Sequence, residues 1–349
     1  MGQGYLFDGF TIITLSLAFG YISILISKHF AARWGLIDKP GGRKSHIGDI
    51  PLVGGIGIYS ALLLTLALGH EVTGFLAHIT GWVSLVFIAG LIDDRFSLAW
   101  TWRLLAQITA SIGVIWSTGM SIVSLGTYPV IGDVFLGGFA IPFTIFAVIG
   151  LTNAFNLVDG IDGLCGSISI ISLAGIFLLG GGSIAGLDLY LASFILALLM
   201  YLSFNLHPEA GRKVFLGDAG SQTIGFLVSW LLIALAHDQQ SSIDPSIVLW
   251  LAPIPIIETF NTIFRRARKR QHIFVPDQYH FHHQLMSMGW SPSGVLLISI
   301  GISIIGLGLG MGTRFLGDAV SLGLFVLFSL LTVRIAGKAS PPWRLEKRS

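Results

Sequence analysis

Residues 153–163 read Asn-Ala-Phe-Asn-Leu-Val-Asp-Gly-Ile-Asp-Gly and follow a long apolar run. They place two amides, Asn153 and Asn156, beside two carboxylates, Asp159 and Asp162. A carboxylate inside hydrocarbon costs about 2.5–3.5 kcal/mol on the insertion scale, so such groups usually serve a function or lie at the water interface. The glycines after the carboxylates break the helix and let the backbone approach a ligand closely. The pattern predicts a polar site at a membrane surface for an anionic, metal-bound ligand.

Two further acidic motifs occur at the ends of apolar runs. Asp93 and Asp94 cannot both ionise cheaply without a nearby cation, which Mg²⁺ with oxygen ligands would supply. Taken alone, the pair is better explained as a solvated helix end. Segment 215–221, Phe-Leu-Gly-Asp-Ala-Gly-Ser, puts Asp218 at the start of a helix, where it can cap the backbone or bind a ligand. The flanking glycines make these two interpretations equally good.

A third polar segment combines a basic run at 265–270 with three histidines, His280, His282 and His283. The basic run is typical of an inner membrane surface that binds anionic head groups. A zinc site usually has Cys or Glu at ligand spacing, and none is apparent here. We therefore expect the histidines to form hydrogen bonds with phosphate or sugar.

The composition indicates an all-α polytopic membrane protein. The chain has 349 residues, of which 53% are hydrophobic and only 11% charged, and its mean hydropathy is +0.81. Soluble domains contain about 25% charged residues. Long apolar runs indicate helices, whereas a barrel would show short alternating segments. The lone Cys165 excludes an internal disulfide, and the first apolar run has no cleavage pattern, so we expect it to remain as a helix.

Runs of about 20 apolar residues match the thickness of a bilayer. Eleven such runs are predicted to span it: 9–28, 51–69, 73–92, 102–119, 138–157, 164–181, 187–205, 219–236, 246–264, 293–312 and 316–336.

The distribution of positive charge orients these spans. If the N-terminus lies outside, nineteen of the twenty Lys and Arg residues fall on the inner side and only Arg314 lies outside. The C-terminus is then cytoplasmic, and the cytoplasmic connections are 29–50, 93–101, 157–163, 206–218 and 265–292.

All the dense polar motifs fall on this cytoplasmic face, so we expect the active site there, within a single membrane domain covering 1–349. On the outer side, 121–137 alternates apolar residues with Gly and Pro, which predicts a small hairpin.

Together the motifs resemble the polyprenyl-phosphate N-acetylhexosamine-1-phosphate transferase family over nearly the whole chain. The His-x-His-His segment and the eleven spans are more similar to the branch that uses UDP-GlcNAc than to the muramyl-pentapeptide branch. The matching segments are Asp-Lys-Pro at 38–40, Arg-Lys-Ser-His at 43–46, Ile-Pro-Leu-Val-Gly-Gly at 50–55, Asp-Asp-Arg-Phe at 93–96, the whole of 153–163, Gly-Asp-Ala-Gly-Ser at 217–221 and His-Phe-His-His at 280–283.

The resemblance implies a reaction in a bacterial cytoplasmic (inner) membrane. Undecaprenyl phosphate would attack UDP-GlcNAc to give undecaprenyl-diphospho-GlcNAc and UMP, the initiating step of a surface polysaccharide such as O-antigen. Mg²⁺, or Mn²⁺ in its place, would be the cofactor. Membrane lipids would be the other partners, nucleic acid would not be one, and the glycine-rich helices are compatible with a homodimer.

The resemblance also implies residue roles. Asp218 would bind the metal with Asn156, and Asp93 and Asp94 would activate the lipid phosphate or bind metal. Asp159 would act at the phosphate centre. The remaining roles are uracil recognition by Asp162 with Phe215 and Asn153, phosphate binding by Lys44, His46 and Arg103, and sugar-phosphate binding by His280, His282 and His283.

Several alternatives stay open. Lys44 and His46 can simply anchor the inner surface, and Arg103 can extend toward head groups. Transfer can proceed in one displacement or through an aspartyl-phosphate. The donor can be another UDP-HexNAc or UDP-MurNAc-pentapeptide. A different class, an ion-coupled nucleotide-sugar transporter, would place carboxylates at mid-helix, and only Glu258 lies well inside a predicted span.

Overall fold

The structure is a computed structural model that describes residues 7–40, 48–72, 74–180, 184–237, 243–268 and 280–336. Helices dominate these ranges because a backbone in lipid must satisfy its own hydrogen bonds. In chain order they are α1 (Gly9–Trp34), α2 (Gly54–Leu68), α3 (Phe75–Phe96), α4 (Trp100–Thr118), α5 (Ala140–Val158), α6 (Leu164–Gly180), α7 (Leu187–Asn205), α8 (Gly217–His237), α9 (Val248–Leu251), α10 (Pro253–Arg268), α11 (Phe281–Ser287), α12 (Pro292–Thr313) and α13 (Asp318–Ala336).

Two small antiparallel sheets accompany the helices. Strand β3 (Ser124–Tyr128) pairs with β4 (Gly132–Phe135), which confirms the hairpin predicted in 121–137. Strand β1 (Ile37–Asp38) pairs with β2 (Ile50–Pro51), a pairing that the sequence did not predict.

Strand β2 and the residues after it also form hydrogen bonds with Phe215, which lies just before α8. Phe215 donates its N–H to the Pro51 carbonyl at 2.8 Å, and its own carbonyl accepts the N–H of Gly54 at 2.9 Å. Phe215 is thereby fixed just before the start of α8.

The predicted class of multi-pass helical membrane protein is confirmed. Within the described ranges, seven helices are long and apolar enough to cross a membrane, and the bent pair α9–α10 would make an eighth. Helices α2 and α6 are apolar but shorter, at 15 and 17 residues. Each of the eleven predicted spans overlaps a helix or the α9–α10 pair.

The predicted span at 246–264 is not one continuous helix. It divides into α9 and α10, which are bent by 97° relative to each other. Ala252 lies at the break with φ −135° and ψ 57°, directly before Pro253. A residue before proline disfavours the α region, and Pro253 and Pro255 lack the N–H groups that would continue the helix. The two prolines therefore account for the correction.

Helix α8 is the centre of the molecule, because nearly all of its residues are buried. Close helix approaches fix its first turn. A Cβ atom added at Gly90 of α3 would lie 2.5 Å from the Ala219 Cα, and one added at Gly55 of α2 would lie 2.5 Å from the Gly220 Cα. Only glycine permits these approaches, so α2 and α3 together hold the turn that carries Asp218.

Candidate active site

A cavity of about 1300 Å³ opens where α3, α5 and α8 present their polar ends. The eight predicted site residues that line it come from four separate parts of the sequence. They are Asp93, Asp94, Asn156, Asp159, Asp162, Phe215, Asp218 and His283.

Asp218 lies at the centre of a charged network at the start of α8. Arg103 Nη1 donates to Asp218 Oδ2 and to Asp93 Oδ2, each at 2.9 Å. Asn156 Nδ2 donates to Asp218 Oδ1 at 2.7 Å and to Ser221 Oγ at 2.9 Å. Arg103 thus shares one positive charge between two carboxylates, and Asn156 fixes the orientation of Asp218.

The neighbouring aspartates Asp93 and Asp94 have different surroundings. Asp94 Oδ1 accepts the Asp218 N–H at 2.8 Å, and Asp94 Oδ2 accepts the Ala219 N–H at 3.1 Å. A carboxylate in this position satisfies two unpaired donors at a helix start and is favoured by the helix dipole. Gly217, with φ +74°, leaves room for it, since a Cβ there would lie 2.6 Å from Asp94 Oδ2. Asp94 therefore acts as a cap supplied by α3, whereas Asp93 faces Arg103.

Asp159 ends α5 and begins the turn that the glycines form. Burial, followed by the negative charge of Asp218, raises the pKa of its carboxyl well above the usual range. The turn ends at Gly163, with φ +77°, whose N–H is accepted by Asn205 Oδ1 at 2.7 Å. A partly buried carboxyl with a raised pKa can hold a proton until a cation or a ligand approaches.

Asp162 forms an ion pair that the sequence did not predict. Lys213 Nζ lies 2.5 Å from Asp162 Oδ2, and its side chain is only 19% exposed. Asn205 supports the arrangement by donating from Nδ2 to the Val214 carbonyl at 3.0 Å. In the sequence, Lys213 counted only as one of the inner positive charges. Lys213 lies two residues before Phe215, which was expected to help recognise uracil. This position is the signal from which a role for Lys213 in the site could have been predicted.

The three histidines on and before α11 have three different environments. His283 lines the cavity. The ring of His282 is buried against Gly160, where an added Cβ would lie 2.2 Å from His282 Nε2. Burial, followed by the neighbouring histidines, lowers the pKa of His282 to about 3. His280 Nδ1 lies 2.7 Å from Glu258 Oε1, a contact that no sequence pattern indicated.

Four predicted residues do not line the cavity, namely Arg103, Asn153, His280 and His282, and two more lie outside the described part of the chain. Asn153 donates from Nδ2 to Gln107 Oε1 at 2.9 Å, and Gln107 Nε2 donates to Gln222 Oε1 at 3.0 Å. This chain of amides joins α5, α4 and α8. Lys44 and His46 lie outside the described residues.

The donor set fits a magnesium ion that is bound together with a ligand. Among the described residues, no group of three or more His, Cys, Asp or Glu side chains could hold a metal by itself. Mg²⁺ commonly takes one or two protein carboxylates and completes its shell with water and substrate phosphates. Asp218, whose side chain is 32% exposed, and the nearby Asp93 provide such oxygens.

The fold and the site define a class: a multi-pass helical membrane protein with a carboxylate-rich cavity at the ends of its helices. Residues 58–236 match the model of glycosyl transferase family 4. The chain is 35% identical over 327 residues to the undecaprenyl-phosphate alpha-N-acetylglucosaminyl 1-phosphate transferase of Yersinia pestis, covering 92% of this chain and 88% of that protein. It is 36% identical over 324 residues to the protein of the same name from Escherichia coli O157:H7, covering 90% and 87% respectively.

The chain therefore belongs to glycosyl transferase family 4, and the resemblance identified in the sequence is confirmed.

Proposed function

We propose that this protein transfers GlcNAc-1-phosphate from UDP-GlcNAc to undecaprenyl phosphate and releases UMP. The observation that carries the proposal is that Asp93, Asp159 and Asp218 line one cavity, where Arg103 pairs with the first and the last of them. Phosphoryl transfer depends on positioning and charge neutralisation more than on covalent chemistry by the protein. The names of the relatives in Yersinia pestis and Escherichia coli O157:H7 support this donor and this acceptor.

The proposed topology has eleven spans in a single membrane domain of a bacterial inner membrane. The N-terminus would lie outside, and the cavity would face the cytoplasm. Its support is the asymmetry of the Lys and Arg residues, together with the placement of the predicted cytoplasmic motifs around one cavity. Nucleotide sugars would then enter from the cytoplasm, while the lipid phosphate would enter from the bilayer.

Mg²⁺ is the proposed cofactor, with Asp218 as its principal ligand and Asp93 as the nearest second carboxylate. When bound, it would neutralise charge on the diphosphate and on the departing UMP. Asn156 keeps an oxygen of Asp218 in place, and Arg103 limits repulsion between the two carboxylates.

In this proposal, the other residues bind different parts of the donor. Asp162, kept near Lys213, and Phe215 would bind the uridine end, and His283 would bind the sugar-phosphate. An oxygen of the lipid phosphate attacks the phosphorus that carries GlcNAc. The bond from this phosphorus to the bridging oxygen breaks, and the electron pair leaves with UMP. Asp93 or Asp159 takes the proton of a monoprotonated lipid phosphate.

The test uses purified protein in detergent with undecaprenyl phosphate, Mg²⁺ and a panel of UDP-HexNAc donors. We expect UMP and lipid-linked sugar to appear together with UDP-GlcNAc, and both to disappear with EDTA or in Asp218→Ala. The matched control is Asp318→Asn, because Asp318 is also a buried carboxylate but accepts the backbone N–H groups of Thr127 and Ser246. Absence of both products with every donor would refute the proposal. Accumulation of UDP-sugar in liposomes without UMP would indicate a transporter instead.

A further inference from the structure

Glu258 is a buried carboxylate that the proposed reaction does not use directly. The residue is 2% exposed, and it lies on α10 beyond the break at Ala252. Its Oε1 lies 2.7 Å from His280 Nδ1, and its Oε2 accepts the N–H of Phe281 at 3.1 Å. A carboxylate oxygen accepts hydrogen bonds, so the contact is a hydrogen bond in the tautomer of His280 that has a hydrogen on Nδ1.

These contacts fix the beginning of α11. His280 is the N-cap residue of that helix, and its own side chain makes no capping hydrogen bond. The carboxylate of Glu258 supplies the missing acceptor from a different helix, which stabilises the first turn. The orientation of α11 is therefore set by α10.

Helix α11 also contacts the turn that bears Asp159 and Asp162. His282 packs over Gly160. Ile161 packs against the small apolar cluster that contains Phe281 and Leu285 of α11. Helix α11 thus contacts both Glu258 and the acidic turn, and His283 of the same helix lines the cavity.

We propose that Glu258 is a positioning residue for the donor sugar: it fixes His280 and the start of α11 so that His283 reaches the sugar-phosphate. This inference rests on the proposed function. His280 and His282 then anchor α11, and His283 is the histidine that contacts the substrate. The uridine end of the donor is held mainly by other contacts, since Phe215 is fixed by strand β2 and the residues after it and Asp162 pairs with Lys213.

The test compares Glu258→Gln with the unchanged protein, using steady-state kinetics for both substrates and the binding of UMP alone. Gln keeps the size of the side chain but can accept only one of the two hydrogen bonds. We expect the KM for UDP-GlcNAc to rise about tenfold, because the variant loses one buried hydrogen bond that holds α11 in place. The KM for undecaprenyl phosphate and the affinity for UMP should each change less than about twofold, because neither ligand carries the sugar or the phosphate to which it is attached.

Asp318→Asn is again the matched control, because Asp318 is a buried carboxylate that accepts two backbone N–H groups far from the cavity. It lies beyond the opposite end of the 22-residue helix α12, at about 33 Å by the rise of ~1.5 Å per residue. Asp318→Asn should lower the melting temperature without changing either KM. Equal changes in both KM values for Glu258→Gln would instead indicate general destabilisation and overturn the proposal.

A double-mutant cycle separates action through α11 from an independent effect. In a His283→Ala background, Glu258→Gln should raise the KM for UDP-GlcNAc by less than about twofold, since its effect passes through His283. A further tenfold rise in that background would overturn the proposal. The unchanged protein reports on the proposed function separately: if it makes no product, the transferase assignment itself fails.

Discussion

Replacing Asp94 by Asn tests whether this residue caps α8 or acts on the substrate. The carboxylate accepts two backbone N–H groups, from Asp218 and Ala219, at 2.8 and 3.1 Å. Asn can accept only one of them, because its NH₂ group would face the other donor. A hydrogen bond to a charged group contributes about 1.5–3 kcal/mol to stability. We therefore expect Asp94→Asn to lower the free energy of unfolding by about 1.5–3 kcal/mol.

The loss of the cap also affects activity, because the first turn of α8 carries Asp218. A displacement of about 1 Å can cost on the order of 10²-fold in rate, so kcat should fall by about that factor. The assay is thermal unfolding in detergent together with kcat for UMP release, and we expect the melting temperature to fall by several degrees.

Asp93→Asn is the control, because the Asp93 carboxylate faces Arg103 rather than the backbone of α8. It should reduce kcat while lowering the melting temperature less than Asp94→Asn does. The reasoning is refuted if Asp94→Asn abolishes activity at an unchanged melting temperature, since Asp94 would then act on metal or substrate.

Three further outcomes follow from the site. Gly160→Ala should reduce kcat/KM by tenfold or more, because its Cβ would lie 2.2 Å from His282 Nε2, whereas Gly211→Ala, with open space around the added Cβ, should leave kcat/KM unchanged. Lys213→Met should raise the KM for UDP-GlcNAc about tenfold at a similar kcat, because Asp162 loses its ion-pair partner; an unchanged KM would contradict this role. The pKa of His282 is about 3 in the folded protein and 6.5 for the free side chain. Between pH 3 and 6.5 the unfolded chain therefore binds more protons than the folded protein, so the free energy of unfolding should rise with pH in this range. Melting curves recorded from pH 5 to 7 should show that slope, and His282→Gln should reduce it.

Hydropathy predicted the positions of the helices, because in lipid each apolar stretch must satisfy its backbone internally. The break within 246–264 could also have been predicted, since Pro253 and Pro255 remove two N–H groups. The pairing of β1 with β2 could not be predicted, because strands of two residues have no periodicity to detect. Of the eleven predicted spans, seven or eight correspond to helices long and apolar enough to cross a membrane within the described residues. Helices α2 and α6 are shorter, so their length and apolarity do not establish that they cross the membrane.

The acidic and amide residues of the cavity were predictable from their types and from their shared sidedness. Their partners were not. The capping of α8 by Asp94 depends on the close approach of α3 at Gly90, which only the packed structure shows. The contact of Glu258 with His280 joins residues 22 positions apart on different helices. Local sequence carries no signal for such a contact, so the sequence offered no role for Glu258.

The measurement that tests the central claim most directly follows the two phosphorus atoms of UDP-GlcNAc. With donor labelled on the phosphorus next to GlcNAc, purified protein and undecaprenyl phosphate should yield labelled lipid-diphospho-GlcNAc and unlabelled UMP in equal amounts. Label recovered in released UDP, with the sugar alone on the lipid, would contradict the proposed phosphoryl transfer and would require a different chemistry for the carboxylates of this cavity.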